Sequence, residues 1–523
     1  MTLLEAAYHT ETENDVSKEH DFYTENFPKA NIEQQSILKL LCDAIDGKTK
    51  QRLFFLNAPG GTGKSFLLNI PLSLYRSKGD VCIAGAHSAI AAILLKEGKT
   101  LHSIFGIPIK EHHVLSKLNR REPKAQLLMQ CQFLIWDEVS MSSKHNTKCA
   151  DLKLRELMNC NAPFGGKVII FSGDFRQILP VVKGGTRTDI VTNTLKSMEW
   201  WTDVDQLQLT KNMRVLINGD TAASREFTNF LMDIGNGTFP YCDKIGTDTI
   251  RVPEHLLWSD SDCQSFLNWI FPSLRTGGVD MSAGILAPHN VDVNFLNDIA
   301  LSQMPTNEIV LQSADSIETD NPEQDISLNI EYPIEYLNSI FLPSLPLHKL
   351  ILKKYAIVVL LRSLNPSKGL CNGTRLMILN VISNKVLHVL ILNGTRAYSG
   401  GLETQPYVVG SCPESESYIP RIDFLSDDLP FKLKRRQFPV RLAFAMTINK
   451  AQGQSLKRVG IFLRSNPVFG HGQLYVALSR AGNADNTKIF IGDVENVQGR
   501  FQNEEGTYTK NIVYHEILSI LVV

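Results

Sequence analysis

The 523-residue chain has no long apolar run, no excess of either charge and few cysteines. Its most apolar stretch, YAIVVLL at Tyr355 to Leu361, is far shorter than the roughly 20 residues that span a bilayer. It reads as a buried strand, and no membrane partner is expected. The nine cysteines are dispersed, odd in number and never in a Cys-x-x-Cys pair, which suggests neither a disulfide framework nor a zinc ribbon and fits a reduced compartment. The N-terminal MTLLEAAYHTETENDVSKEHD turns acidic early and lacks the basic start and long apolar core of a signal peptide, so secretion is not expected. With 53 basic and 54 acidic residues the net charge is -1. Any nucleic-acid partner must therefore be held in a local groove, because no globally basic surface exists to attract it.

What is present is ordinary globular text: 43% hydrophobic and 20% charged residues, enough for about three or four domains. Residues 1–28 are polar and read as a flexible lead-in. From 29 to 195, short apolar runs (RLFFLN, VCIAGA, QFLIWDE, KVIIFSGD) alternate with helical stretches, the pattern of a parallel sheet flanked by helices. A second α/β block begins within 196–338 at GILAPHNVDVNFLN and resumes over 440–523. Between its halves, 339–439 reads as a small β-rich insert whose strands are separated by turn signals. The polar tract SADSIETDNPEQD reads as a surface loop.

The stretch NAPGGTGKS, between an apolar strand and FLLNIPLSLY, has the strand, glycine loop, Lys-Ser and helix of a P-loop. Gly60, Gly61 and Gly63, with Thr62 among them, let backbone amides converge on phosphate. Lys64 is assigned to the β and γ phosphates and Ser65 to magnesium. FLIWDE then supplies Asp137 to orient the magnesium and Glu138 to polarise the attacking water. After the next strand, Gln177 in FSGDFRQILPV is placed to bond the γ phosphate. Arg214 and Arg480, in or near the second block, are candidate arginine fingers reaching across a cleft to the nucleotide. ATP and Mg2+ are the expected cofactors. Lys64→Ala is expected to abolish hydrolysis and spare the fold, since a glycine-loop lysine reads as solvated.

Taken in order, these motifs resemble the superfamily 1B helicases of the Pif type (petite integration frequency), most closely the helicase part of Helitron transposons. NIEQQ resembles the adenine-reading motif, which implies Gln34 as the contact. GAHSAIAAILL, GKTLHSIFGIP, GILAPHN, TINKAQGQSL and FGHGQLYVALSRA continue the series. The resemblance implies two RecA-like domains with ATP in their cleft, an SH3-like insert, and ATP-driven 5′ to 3′ movement on single-stranded DNA with duplex separation. Repair, recombination, telomere maintenance and transposition are the settings it suggests, with the nucleus as leading compartment and mitochondrion or cytoplasm as alternatives. His87, Ser88 and Ala89 depart from the usual Ser-Thr-Gly. Asn449 precedes Lys450 where a His is usual, a feature associated with the Helitron branch. No His-x-His pair exists, so the metal-binding nicking domain of a full transposase is not expected.

Single-strand grooves combine backbone contacts with stacking platforms. The candidates are Ser88, His102 and Phe105 in the first domain and Thr447, Lys450 and Gln452 in the second. The basic cluster Lys432, Lys434, Arg435 and Arg436 is a further candidate for phosphate contact. Two other readings stay open at this point: a transposon-derived nucleic-acid-binding protein without turnover, and a helicase acting mainly on RNA.

Overall fold

The computed structural model describes residues 15–107, 116–213, 221–242, 244–318, 331–342, 344–392, 413–426, 428–495, 497–502 and 504–519. Four apolar runs and two short polar edge strands form a parallel sheet, β1 (Leu53–Asn57), β2 (Cys82–Ala86), β3 (Lys99–Thr100), β4 (Phe133–Asp137), β5 (Val168–Gly173) and β6 (Asp205–Gln208), in the order β3-β2-β4-β5-β1-β6. Strands β1, β4 and β5 are buried on both faces, as a parallel sheet covered by helices requires. Alternate residues enter opposite layers: Phe55, Trp136 and Phe171 pack with Phe164 and Trp200, whereas Phe54, Leu56, Ile135 and Ile170 pack with Leu38, Leu67 and Leu68.

The chain divides into two compact units: 1–252 with 467–484 and 495–523, and 253–466 with 485–494. The sequence reading assigned 440–523 as a whole to the second block. In the structure the helix Gln473–Leu478 packs instead on the helix Ala222–Asn236, within the first unit. The first sheet likewise extends past residue 195, because β6 pairs with β1.

The described part of the lead-in is helical and packed. Asp15 caps a helix, Val16–Asn26, that packs on the helix Lys64–Arg76. Its Glu19, 7% exposed, accepts a hydrogen bond from Lys96 at 2.7 Å, and the same ammonium sits 4.0 Å from the centre of the Phe22 ring.

In the second unit, Ala445–Thr447, Ala283–Ala287, Arg458–Leu463 and Thr487–Ile491 form a parallel sheet in that order. The insert is antiparallel: Glu416–Pro420, Val386–Ile391, Arg375–Ile382, Ile357–Leu360 and Val440–Leu442 make one sheet. Its strands start earlier than 339, since Glu308–Gln312 pairs with Lys349–Lys353. The expected loop SADSIETDNPEQD is corrected too. Ala314–Ile317 is a strand on Leu433–Gln437, while residues 319–325 lie outside the described residues.

Candidate active site

Strand β1 delivers the chain to a turn in which the Thr62 amide and hydroxyl both donate to the Pro59 carbonyl, at 3.3 and 2.8 Å. Gly63 closes the turn with φ +83°, a conformation side chains disfavour. A Cβ there would also come 2.9 Å from Gln34 Nε2. Gly60, Gly61 and Ser65 are half-buried around the turn, and the helix Lys64–Arg76 begins immediately after it. Its amides present the partial positive charge of a helix N-terminus.

Gln34 lies behind this loop, 1% exposed. Its Oε1 accepts from the Asn31 amide at 3.1 Å and its Nε2 donates to the Thr62 carbonyl at 3.3 Å. The side chain assigned above to the adenine is here a helix cap and a brace for the loop. A cleft does border the loop, lined by Pro59, Gly60, Leu209, Phe227, Leu231 and Tyr475.

Lys64 is not solvated. Its side chain is 13% exposed, with Nζ 2.7 Å from Asp137 Oδ1 and 2.6 Å from Glu138 Oε1. Burial by itself would push its ammonium down, but the two carboxylates more than offset this and hold it above the ordinary lysine range. The same Asp137 oxygen accepts from the Ser172 hydroxyl at 2.7 Å and the Glu138 amide at 2.8 Å. Burial pushes the Asp137 carboxyl up, against the pull of Lys64. Glu138 adopts φ +52°, a left-handed conformation that costs a non-glycine residue about 1–2 kcal/mol and recurs at functional sites.

Beyond β5, the loop Asp174–Gln177 is buried, Gln177 being 5% exposed. Two residues that sequence reasoning passed over organise it. Asp174 accepts from the Tyr475 hydroxyl at 2.9 Å and pairs with Arg176 at 3.1 Å. Arg176 then donates to Asn236 at 2.6 Å. Burial, and next the Asp174 carboxylate, hold the Tyr475 phenol well above its ordinary range. The acid following a strand-ending glycine in FSGD was the available signal. Arg480 belongs to the unit that carries the P-loop, not to the second block. It is 7% exposed and donates to the Val476 carbonyl at 2.9 Å and the Ser479 hydroxyl at 2.8 Å. Arg214 lies outside the described residues.

The strand-contact candidates separate by exposure. Ser88, half-buried after β2, caps a short helix by accepting from the Ala91 amide at 3.2 Å, which leaves its hydroxyl proton able to donate. His102 is half-buried with its ring 6.1 Å from that of His87. Phe105 is no stacking platform: it is fully buried and stacks on Trp136 at 6.3 Å. In the second unit Thr447 is half-buried and Lys450 exposed, but Gln452 is turned inside, 5% exposed. Asn297, missed in the sequence, holds the edge strand beneath them by bonding both the amide and the carbonyl of Ala445, at 3.0 and 3.1 Å.

The basic cluster is corrected as well. Arg435 is buried against Asp315 at 2.7 Å, Lys432 pairs with Glu318 at 3.2 Å, and Lys434 and Arg436 flank Asp423 at 3.5 and 3.6 Å. Each of the four cations thus has a carboxylate within 3.6 Å, drawn from three acids in all.

A P-loop on a parallel RecA-like sheet, with a buried lysine between two acids, defines a nucleotide-hydrolase architecture. The family described as PIF1-like helicase matches residues 29–244, and the one described as DNA helicase Pif1, 2B domain matches 335–381. ATP-dependent DNA helicase PIF1 of Homo sapiens is 28% identical over 469 residues, 89% of this chain and 61% of that protein. The chain thus spans about three fifths of that relative's length. The crystal structure of Pif1 helicase from Candida albicans superposes with TM-score 0.60 at 20% identity, covering 94% of this chain and 98% of that one. Bacteroides Pif1 bound to ssDNA gives 0.58 at 23%, covering 89% and 92%. These likenesses establish the fold, two parallel RecA-like sheets with an antiparallel 2B domain. Over residues 29–244 and 335–381 the chain is thus similar to the PIF1-like helicases and their 2B domain.

Proposed function

We propose that the chain is an ATP-dependent DNA helicase that moves 5′ to 3′ on single-stranded DNA and separates duplex. The observation that carries this is Lys64 held between Asp137 and Glu138 at the end of a P-loop, at 2.7 and 2.6 Å, in a chain similar to the PIF1-like helicases. In turnover the lysine leaves this ion pair for the β and γ phosphates. Its departure frees Glu138 to polarise the attacking water. Gln177 and Arg480 sense the γ phosphate from the same unit.

Ser65 and Asp137 are hard oxygen donors, the set that suits Mg2+ when phosphates complete its shell. Bound there, the ion would neutralise charge on the phosphates. Among the described residues no cluster of three or more His, Cys, Asp or Glu offers another metal site.

Ser88, His102, Thr447 and Lys450 are the strand contacts in this reading. Bacteroides Pif1, of the same fold, binds single-stranded DNA. Duplex opening costs on the order of 1.4 kcal/mol of stacking per base step, which repeated hydrolysis supplies. The finer placement beside the helicase part of Helitron transposons, in the nucleus, rests on Asn449 before Lys450 and on the resemblance of the motif series.

The test is to incubate the protein, ATP and Mg2+ with duplexes carrying a 5′ or a 3′ single-stranded tail, with Lys64→Ala as control. Separation of the 5′-tailed duplex alone, lost in the variant, is expected. DNA binding with no separation of either would favour a binder without turnover. Preference for RNA substrates would point to an RNA helicase.

A further inference from the structure

The loop that carries Gln177 is gripped from outside by a histidine the reaction itself does not use. His471 is 4% exposed. Its Nδ1 accepts from the Tyr514 amide at 2.8 Å, and this fixes the tautomer: the proton sits on Nε2, which donates to the Phe175 carbonyl at 2.7 Å. The imidazole also stacks on the Tyr514 ring, centroids 5.2 Å apart. Beside it, the Gly472 amide donates to the Ile512 carbonyl at 3.1 Å. A Cβ on Gly472 would come 2.2 Å from the Arg176 carbonyl oxygen, so the two backbones meet with no room for a side chain.

The segment supplying Tyr514 is itself anchored. Lys196 Nζ donates to the Ile517 carbonyl at 2.7 Å while lying 4.4 Å from the centre of the Phe175 ring. Arg187 bonds both oxygens of Glu516 at 2.6 Å. Three stretches far apart in sequence, 174–177, 470–473 and 512–517, are therefore joined at one imidazole.

We propose that His471 is a positioning residue for ATP turnover, holding the Asp174–Gln177 loop in its working place and making that place depend on the segment 512–517. The inference rests on the reading of Gln177 as the residue that meets the γ phosphate. Phe175 stands two residues before Gln177. Without the imidazole its carbonyl loses its donor in a buried setting, where unpaired backbone groups are rarely tolerated. The peptide then turns to find another partner and Gln177 moves with it. A displacement of about 1 Å at a reacting group can cost on the order of a hundredfold in rate. Burial pushes the His471 pKa down to about 4, so the neutral, singly protonated ring persists across the working range.

The experiment measures DNA-stimulated ATP hydrolysis of the full chain with oligothymidine, for wild type, His471→Leu, His471→Gln and His471→Asn. A glutamine amide reaches the position of Nε2 and can donate to Phe175. An asparagine amide reaches only the position of Nδ1. Expected are a fall in kcat of about tenfold or more in His471→Leu, with KM for ATP and DNA affinity within about twofold of wild type, recovery in His471→Gln and none in His471→Asn. Wild-type kcat in His471→Leu would overturn the proposal. So would a Gln variant as impaired as the Asn variant, or losses that follow melting temperature across the three. Should the Leu variant not fold, the contrast between Gln and Asn decides alone. A wild-type chain that hydrolyses no ATP would sink the motor reading, and this inference with it.

Discussion

Lys64 Nζ lies 2.6 Å from Glu138 Oε1 and 2.7 Å from Asp137 Oδ1, so one lysine is the shared partner of both acids at the end of the strand. The side chains are 13%, 9% and 2% exposed, so the pair counts as buried and its disruption as costly.

Lys64→Met is accordingly expected to abolish hydrolysis and also to destabilise the first unit by about 3–5 kcal/mol at neutral pH, the usual result of leaving buried charge uncompensated. The pH dependence separates it from wild type. Lys64 has its pKa raised in the fold, so its contribution is complete below the unfolded lysine value near 10.4 and is lost only as pH climbs through the folded one. Between pH 5 and 8 Lys64 itself contributes no slope, being protonated in both states. In the variant the two carboxylates rise above their unfolded values, the native state binds more protons, and stability recovers as pH falls. Urea denaturation at pH 8 and pH 5 checks this, and equal midpoints for the two proteins at both pH values would refute it.

Acid should weaken the wild type by a different route. His87 and His471 are both pushed down to about 4, by burial first, with His102 adding to the shift of His87. Unfolded histidine titrates near 6.5. Between about 6.5 and 4 the unfolded chain therefore binds up to two more protons than the native one from these groups, and stability falls as pH falls. The urea midpoint should drop through that window, and the drop should shrink in His87→Gln. An unchanged slope in that variant would remove His87 from the account.

Much of this site was legible in the text. The P-loop needs glycine at Gly63 and a lysine after it, and the acids end a strand, so local spacing alone carried Lys64, Asp137 and Glu138. Partners that depend on tertiary contact were not legible. Nothing near FGHGQLYVALSR tells a reader that Tyr475 will bond Asp174, about 300 residues earlier, or that this segment folds with the first unit. Exposure was equally hidden. Phe105 and Arg435 occupy positions where an aromatic and a cation suggest nucleic acid, yet each fills a core, Phe105 on Trp136 and Arg435 on Asp315.

Tyr475→Phe removes a hydroxyl and nothing else. It leaves Asp174, 0% exposed, with one donor fewer, which costs about 1–3 kcal/mol for a buried acceptor. Because Asp174 also holds Arg176 at 3.1 Å, the loop bearing Gln177 loosens. A lowered urea midpoint and slower hydrolysis are expected together. Full stability in Tyr475→Phe would show that the phenol is not needed to satisfy Asp174.

The nucleic-acid assignments are separated by salt. A lysine that contacts a backbone phosphate releases counterions, and its removal lowers the dependence of log affinity on log salt by about 0.7 on single strands. Lys450, exposed in the short turn Ile448–Ala451 that follows the edge strand, is expected to behave so: Lys450→Ala should weaken oligothymidine binding and flatten the slope. Lys432→Ala should leave the slope alone, since Glu318 already balances that ammonium at 3.2 Å. Phe105→Ala should cost about 3–5 kcal/mol of stability through the cavity it opens, with strand affinity unchanged where the protein remains folded. Fluorescence anisotropy across a salt series decides each case. A flattened slope for Lys432→Ala would return the insert to the DNA-binding surface, and an affinity loss in folded Phe105→Ala would return that ring to the strand groove.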